Sequence, residues 1–187
     1  KSGKIEDALN SFRDAIYSDS SFLAPKFEIG MYNYKKGNIT TATGYLNEIG
    51  SKIQFYAEVH LILGDINYNN GYYREAIDHF NKAFEFGFIG SKTEYLIRIK
   101  RATSYFNTYS FNDALEDAEA AAKLRRNSTR PLILMAAINI KKADYDSALT
   151  QLHRARSIAP QNSIILFQIG SIYYKQEDPR YTKYFNQ

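Results

Sequence analysis

The sequence predicts an all-α fold, an α-solenoid of paired helices, on three observations. A pattern returns at a nearly constant interval, small residues keep one phase within each return, and turn formers are too scarce for a β fold. The 187 residues hold four Pro and ten Gly, whereas an all-β chain of this length needs many tight turns. The returns begin at Gly3, Gly37, Gly71, Tyr109, Ala143 and Glu177; the clearest reads GYYREAIDHFNKAF from Gly71. The steps between them are 34, 34, 38, 34 and 34 residues. A period of that size marks a repeat array.

Each element follows from its own residues. The first helix is expected over 4–18, with an apolar stripe of Ile5, Leu9, Phe12 and Ile16. No helix precedes it, so that stripe calls for a cover: a helix upstream in a longer protein, or a second copy of the chain. Helices over 22–36 and 39–50 form the next pair, then 54–70 with 73–86. In the second member of each pair, Ala8, Ala42, Ala76, Ala114 and Ala148 recur. A larger or small apolar residue follows four on and another three beyond, as in Ala76, Phe80 and Ala83. These spacings share one helical face, and small side chains there let a neighbouring helix approach closely. In the first member, Gly30, Gly64, Ala102, Ala136 and Gly170 hold one phase. Glycine inside a helix costs about 1 kcal/mol against alanine, so its recurrence indicates helices in contact.

The 38-residue step adds four residues before Tyr95, about one helical turn. Ser91 and Glu94 in SKTE read as a capping box, placing an extra N-terminal turn on a helix over 92–108. Helices over 111–124, 129–142, 145–158 and 163–176 follow, with Ser128 and Asn162 as expected N-caps. A short element is expected near 179–186.

Composition narrows the chemistry. There is no cysteine, which excludes disulfides, Cys-ligated zinc and thiol nucleophiles. His60, His79 and His153 fall in three helices without a His-x-x-x-His or Glu-x-x-His pair, so no metal is expected and the histidines read as repeat-surface residues. The acidic residues Asp113, Glu116, Asp117 and Glu119 read as a solvated face. Gly87 and Gly90 lack the Lys-Ser/Thr of a phosphate loop. No catalytic residue and no cofactor emerge, and the chain is expected not to be an enzyme. The net charge of +4 is mild, and nucleic-acid binding is not expected although Arg98, Lys100, Arg101, Arg125, Arg126 and Arg130 cluster in sequence. No apolar run is long enough to span a bilayer and no signal peptide is seen. The chain starts at Lys1 without Met, which leaves the compartment open.

The stretch LGDINYNNGYYREAIDHFNKAF, and IAPQN with Pro160 closing a unit, resemble the tetratricopeptide repeat. The resemblance covers essentially the whole chain. It departs at the usual tryptophan, whose places hold Lys26, His60, Arg98, Leu132 and Leu166. It implies a right-handed solenoid forming one array over 1–187. That array has a partial repeat over 1–20, repeats at about 21–54, 55–92, 93–128 and 129–162, and a terminal partial repeat over 163–187. It also implies that Arg101, in a familiar Arg-Ala pair, packs or pairs inside the fold. The first helix of each repeat would line a concave groove with Phe27, Met31 and Tyr34, then Leu61, Asp65 and Tyr68. Next come Ile99, Thr103 and Phe106, then Arg130, Ile133, Ala137 and Ile140, and last Phe167, Ser171 and Tyr174. Few are charged, so the implied partner is an apolar peptide or helix, with Asp65 and Arg130 setting its polarity. The carboxylate-gripping subfamily is disfavoured, because its five places hold Leu61, Asp65, Lys100, Arg130 and Leu134. Two competing expectations remain: self-association through the terminal helices into a homo-oligomeric scaffold, and a groove covered by the chain's own tail PRYTKYFNQ.

Overall fold

The computed structural model describes residues 2–52, 57–86 and 90–185. Among these, every regular element is a helix: α1 (Ser2–Ser18), α2 (Leu23–Lys36), α3 (Ile39–Lys52), α4 (Ala57–Asn69), α5 (Tyr73–Phe86), α6 (Ser91–Asn107), α7 (Phe111–Leu124), α8 (Thr129–Lys141), α9 (Tyr145–Ile158), α10 (Ser163–Lys175) and α11 (Tyr181–Phe185). The all-α helix–turn–helix architecture is the one expected. The expected start of α4 at 54–56 lies outside the described residues. Contacts divide the chain into two units, Lys1–Phe88 with α1–α5 and Ile89–Gln187 with α6–α11.

One turn geometry recurs between paired helices. Gly37 and Gly71 have φ of 81° and 79°. At the equivalent step Tyr109, Ala143 and Glu177 adopt 63°, 59° and 55°. The next N–H of each turn, from Asn38, Tyr72, Ser110, Asp144 and Asp178, donates to the carbonyl five residues back at 2.9 Å. This closure satisfies a helix-end carbonyl and needs a left-handed residue, which glycine supplies without strain. The glycine that opens the second and third returns is therefore a turn residue. The later returns keep the turn without it.

In the first unit α2 pairs with α3 and α4 with α5. Ala42, Ala76, Leu46 and Phe80 are fully buried, as their phase predicts. A Cβ added to Gly64 would lie 2.6 Å from two ring carbons of Phe80, so the glycine is what lets α4 touch α5. On α1, Leu9 is buried while Ile5 is 48% exposed.

In the second unit α6–α7 and α8–α9 are the tight pairs. Ala102, Ala114, Ala118, Ala121, Ala136, Ala148 and Ala155 are all fully buried. Helix α6 has 17 residues where α4, α8 and α10 have 13, so the four added residues do extend it by one turn. The capping box is not formed, however. Gly90 is the N-cap and no side chain caps the helix; Glu94 instead accepts from Arg98 Nε at 2.7 Å. Asn162 caps α10, accepting from the Ile164 and Ile165 N–H groups. Ser128 does not cap α8, because its hydroxyl is 2.8 Å from the Tyr95 hydroxyl. Asp144 caps α9 by accepting from the Ser147 N–H at 3.1 Å, a role its residue type allows. Helix α11 lies on α10, with Tyr184 buried against Tyr173 at 5.6 Å between ring centres.

Candidate binding faces

The places where the resemblance puts tryptophan are interior in both units. Lys26 and His60 are 4% and 3% exposed, and Leu132 and Leu166 are also buried. A buried polar group must find a partner or carry its full desolvation cost. Each polar occupant finds one on the next helix of its pair. Lys26 Nζ pairs with Glu48 of α3 and donates to the Ser20 carbonyl at 2.6 Å. The Nδ1 atoms of His60 and of His79 on α5 are 3.0 Å apart. Arg98 donates to Asp117 of α7 at 3.0 Å. Two expectations are corrected here. His60 is an interior residue in contact with His79, because it fills a helix-pair core position. Asp117 is 2% exposed, not part of a solvated face, because it also accepts from Arg101 at 2.6 and 2.8 Å. Arg101 therefore pairs inside the fold, as the resemblance implies.

Protonation of the histidines is disfavoured. Burial, with Lys82 nearby, holds His60 below its ordinary value. Burial, then His60 and Lys82, lowers His79 to about 4. Both rings are then neutral at pH 7, so one Nδ1–H donates to the other Nδ1.

The residues expected to line a groove are distributed as follows. In the first unit Phe27, Met31 and Tyr34 are half-buried and pack against the cluster of Leu46, Ile62 and Ile66. Leu61, Asp65 and Tyr68 on α4 are half-buried as well. The Tyr34 hydroxyl donates to Asp65 Oδ2 at 2.6 Å, which joins the two neighbouring first helices. Burial raises the Tyr34 hydroxyl above its ordinary value. Asp65 also accepts from Asn69 at 3.2 Å, so its carboxylate is already held in the fold. Tyr68 meets Tyr73 edge-on at 6.1 Å.

In the second unit Ile99 is 1% exposed and packs with Tyr95 and Ala121. It offers no surface, because the neighbours packed beside it in the α6–α7 interface cover it. Phe106 is half-buried beside Phe111. Ile133 and Ile140 are half-buried on the α8–α10 core. Arg130 is exposed, and burial together with the charge of Arg130 lowers Lys100. Phe167 and Tyr174 are 64% and 63% exposed. Tyr181 of α11 meets Tyr174 edge-on at 5.4 Å, while Tyr184 turns toward Tyr173 and His153. Among the described residues no group of three or more His, Asp or Glu could hold a metal. No described helix is long and apolar enough to cross a membrane.

Comparison with known proteins agrees with this geometry. The tetratricopeptide repeat pattern matches residues 57–86. A tetratricopeptide repeat-containing protein of Methanocaldococcus jannaschii is 32% identical over 82 residues, which are 44% of this chain and 14% of that protein. The chain thus spans a small part of that relative. Among solved structures, YrrB, described as a tetratricopeptide repeat protein with an unusual peptide-binding site, superposes with a TM-score of 0.75. The identity is 18%, and the match covers 92% of this chain and 87% of that one. The MamA protein superposes with a TM-score of 0.76 at 18% identity, covering 88% of each chain. Identities at this level speak to fold alone. Residues 57–86 match the tetratricopeptide repeat, and the buried alanines in phase, the left-handed turn that recurs between paired helices and these likenesses support a tetratricopeptide repeat protein.

Proposed function

We propose that this chain is a non-enzymatic protein-interaction module that seats an apolar peptide or helix on the first helices of its repeats. The observation that carries the reading is on α10. Phe167 and Tyr174 stand two turns apart on one face, each more than half exposed, with Ser171 between them in phase. Large aromatic side chains left open to water lose free energy there and regain it on burial, about 1.5–3 kcal/mol for each anchor before ordering costs. Half-buried Phe27, Met31, Tyr34, Leu61 and Tyr68 give the first unit a face of like chemistry, and Phe106, Ile133 and Ile140 extend that of the second. Asp65 and Arg130 add one fixed negative and one positive group. YrrB, similar in fold, is described as peptide-binding, which supports the reading by analogy.

The test is affinity capture from a lysate of the source organism by the full chain and by a Phe167→Ser/Tyr174→Ser variant. Both side chains are exposed, so the variant should keep its fold and lose the partners held by the parent. Identical captured sets would sink the proposal. Exposure of Ile5 on α1 favours self-association as a second reading. Sedimentation that stays monomeric at high concentration would remove it.

A further inference from the structure

The second unit carries a cleft that the reading above does not use, formed on the side of the second helices. Ala122 of α7, Leu132 and Met135 of α8 and Gln151 of α9 border about 430 Å3 of it. Leu132 and Met135 are 3% exposed and form an apolar floor. The rim is cationic: Lys123, Arg126 and Arg154 face a single acidic neighbour, Glu119. A shallower hollow adjoins it, shares Arg126 and Ser128, and ends on Ile158 and Ala159. Ile158 is 38% exposed. The surface thus has two aliphatic seats with Arg126 between them.

The charge at this rim differs from that of the cations inside the helix pairs. Where Lys26, Arg98 and Arg101 enter the interior, each meets a carboxylate. Among the described residues Lys123, Arg126 and Arg154 make no salt bridge; Arg154 donates to the Gln151 amide oxygen at 2.9 Å. Three cations gathered over an apolar floor beside one carboxylate leave a net positive charge that favours an anionic, partly apolar ligand. The seats are aliphatic and offer no ring for base stacking. The nearby ring of Tyr95 is already covered by the Arg125 guanidinium at 4.1 Å. The floor is recessed, out of reach of a flat bilayer surface. We infer that this cleft docks an extended acidic segment of a partner protein, with a carboxylate on Arg126 and an apolar side chain in each seat.

The test uses the full chain and labelled nonapeptides centred on Leu-Ser-Glu-Ser-Leu. A second peptide carries Gln for Glu, and a third carries Ser for both Leu. The first should bind; the other two should bind at least about tenfold more weakly, the scale of one charge-assisted contact or one buried aliphatic group. Arg126→Ala and Arg154→Ala, both at exposed positions, should each weaken the first peptide about tenfold with an unchanged far-UV spectrum. Phe167→Ser/Tyr174→Ser should leave its affinity unchanged, which separates this site from the inner-face reading. Equal binding of the Glu and Gln peptides, full affinity in Arg126→Ala, or no binding at millimolar peptide would overturn the assignment. So would displacement of the peptide by oligouridylate, or by phosphatidylserine vesicles, at lower concentration than unlabelled peptide.

Discussion

Gly64→Ala puts the helix-pair packing to a direct test. The added Cβ would stand 2.6 Å from Phe80 Cδ1 and Cε1. Ordinary contact begins near 3.4 Å, so the ring must retreat by roughly 0.8 Å, the difference of those two distances. Phe80 is fully buried, and a close-packed interior has no void to receive it. Overpacking of this kind costs about 1–3 kcal/mol. Against it stands the helix-propensity gain of Gly→Ala, about 0.8–1.0 kcal/mol. The net expectation is a loss of about 0–2 kcal/mol, which at this chain length lowers Tm by up to about 8 °C. Gly44→Ala is the control. Gly44 is an exposed residue within α3, and nothing lies within 4 Å of its added Cβ. That variant should gain nearly the full propensity term. Gly30→Ala should fall between them, because its nearest neighbours are Leu46 side-chain atoms at 3.1 Å that can give by a few tenths of an ångström. Urea unfolding followed by far-UV circular dichroism would rank the three. If Gly64→Ala proves as stable as Gly44→Ala, the assigned α4–α5 contact is wrong. Combining Gly64→Ala with Phe80→Leu should cost less than the sum of the single changes, since the shorter side chain makes room.

Three further outcomes can be measured. Ala143→Gly should stabilise the chain by about 0.5–1 kcal/mol by relieving a positive φ, while Gly71→Ala should cost about 1–2 kcal/mol; thermal melts giving the opposite order would refute the turn assignment. Asp117→Ala strands Arg101 in a largely buried setting and leaves Arg98 with Glu94, and should cost about 3 kcal/mol, whereas a surface carboxylate such as Glu119 should cost less than about 1 kcal/mol when replaced. The folded state depresses His60 and His79 below their ordinary value of 6.5, with His79 at about 4. The unfolded chain therefore binds more protons between about pH 6.5 and 4, and stability should be complete above that window and fall as pH drops through it. His79→Gln should flatten that part of a Tm-against-pH curve; an unaltered curve would show that the pair does not titrate in this way.

Much of the fold is legible in the chain because two of its causes are local. Ala76, Phe80 and Ala83 declare their shared face by spacing alone, and Gly37 and Gly71 announce the left-handed turn. The step from Phe88 to Tyr95 is readable as one added turn because helices lengthen in units of their own pitch. The polar interior was not readable. Lys26, His60 and Asp117 look like surface residues in a linear chain, since burial of each depends on partners 16 to 22 residues away. The capping box failed for a related reason: Arg98 competes for Glu94 with a full charge.

By itself the sequence determined the class, the register and the location of nearly every helix, because periodicity and turn chemistry act over a few residues. The tertiary structure alone decided which side chains remain for a partner. Ile99 and Phe167 hold the same phase, yet one is sealed between α6 and α7 and the other is open on α10. Exposure depends on the neighbours that pack beside a helix, and those neighbours are chosen by the fold.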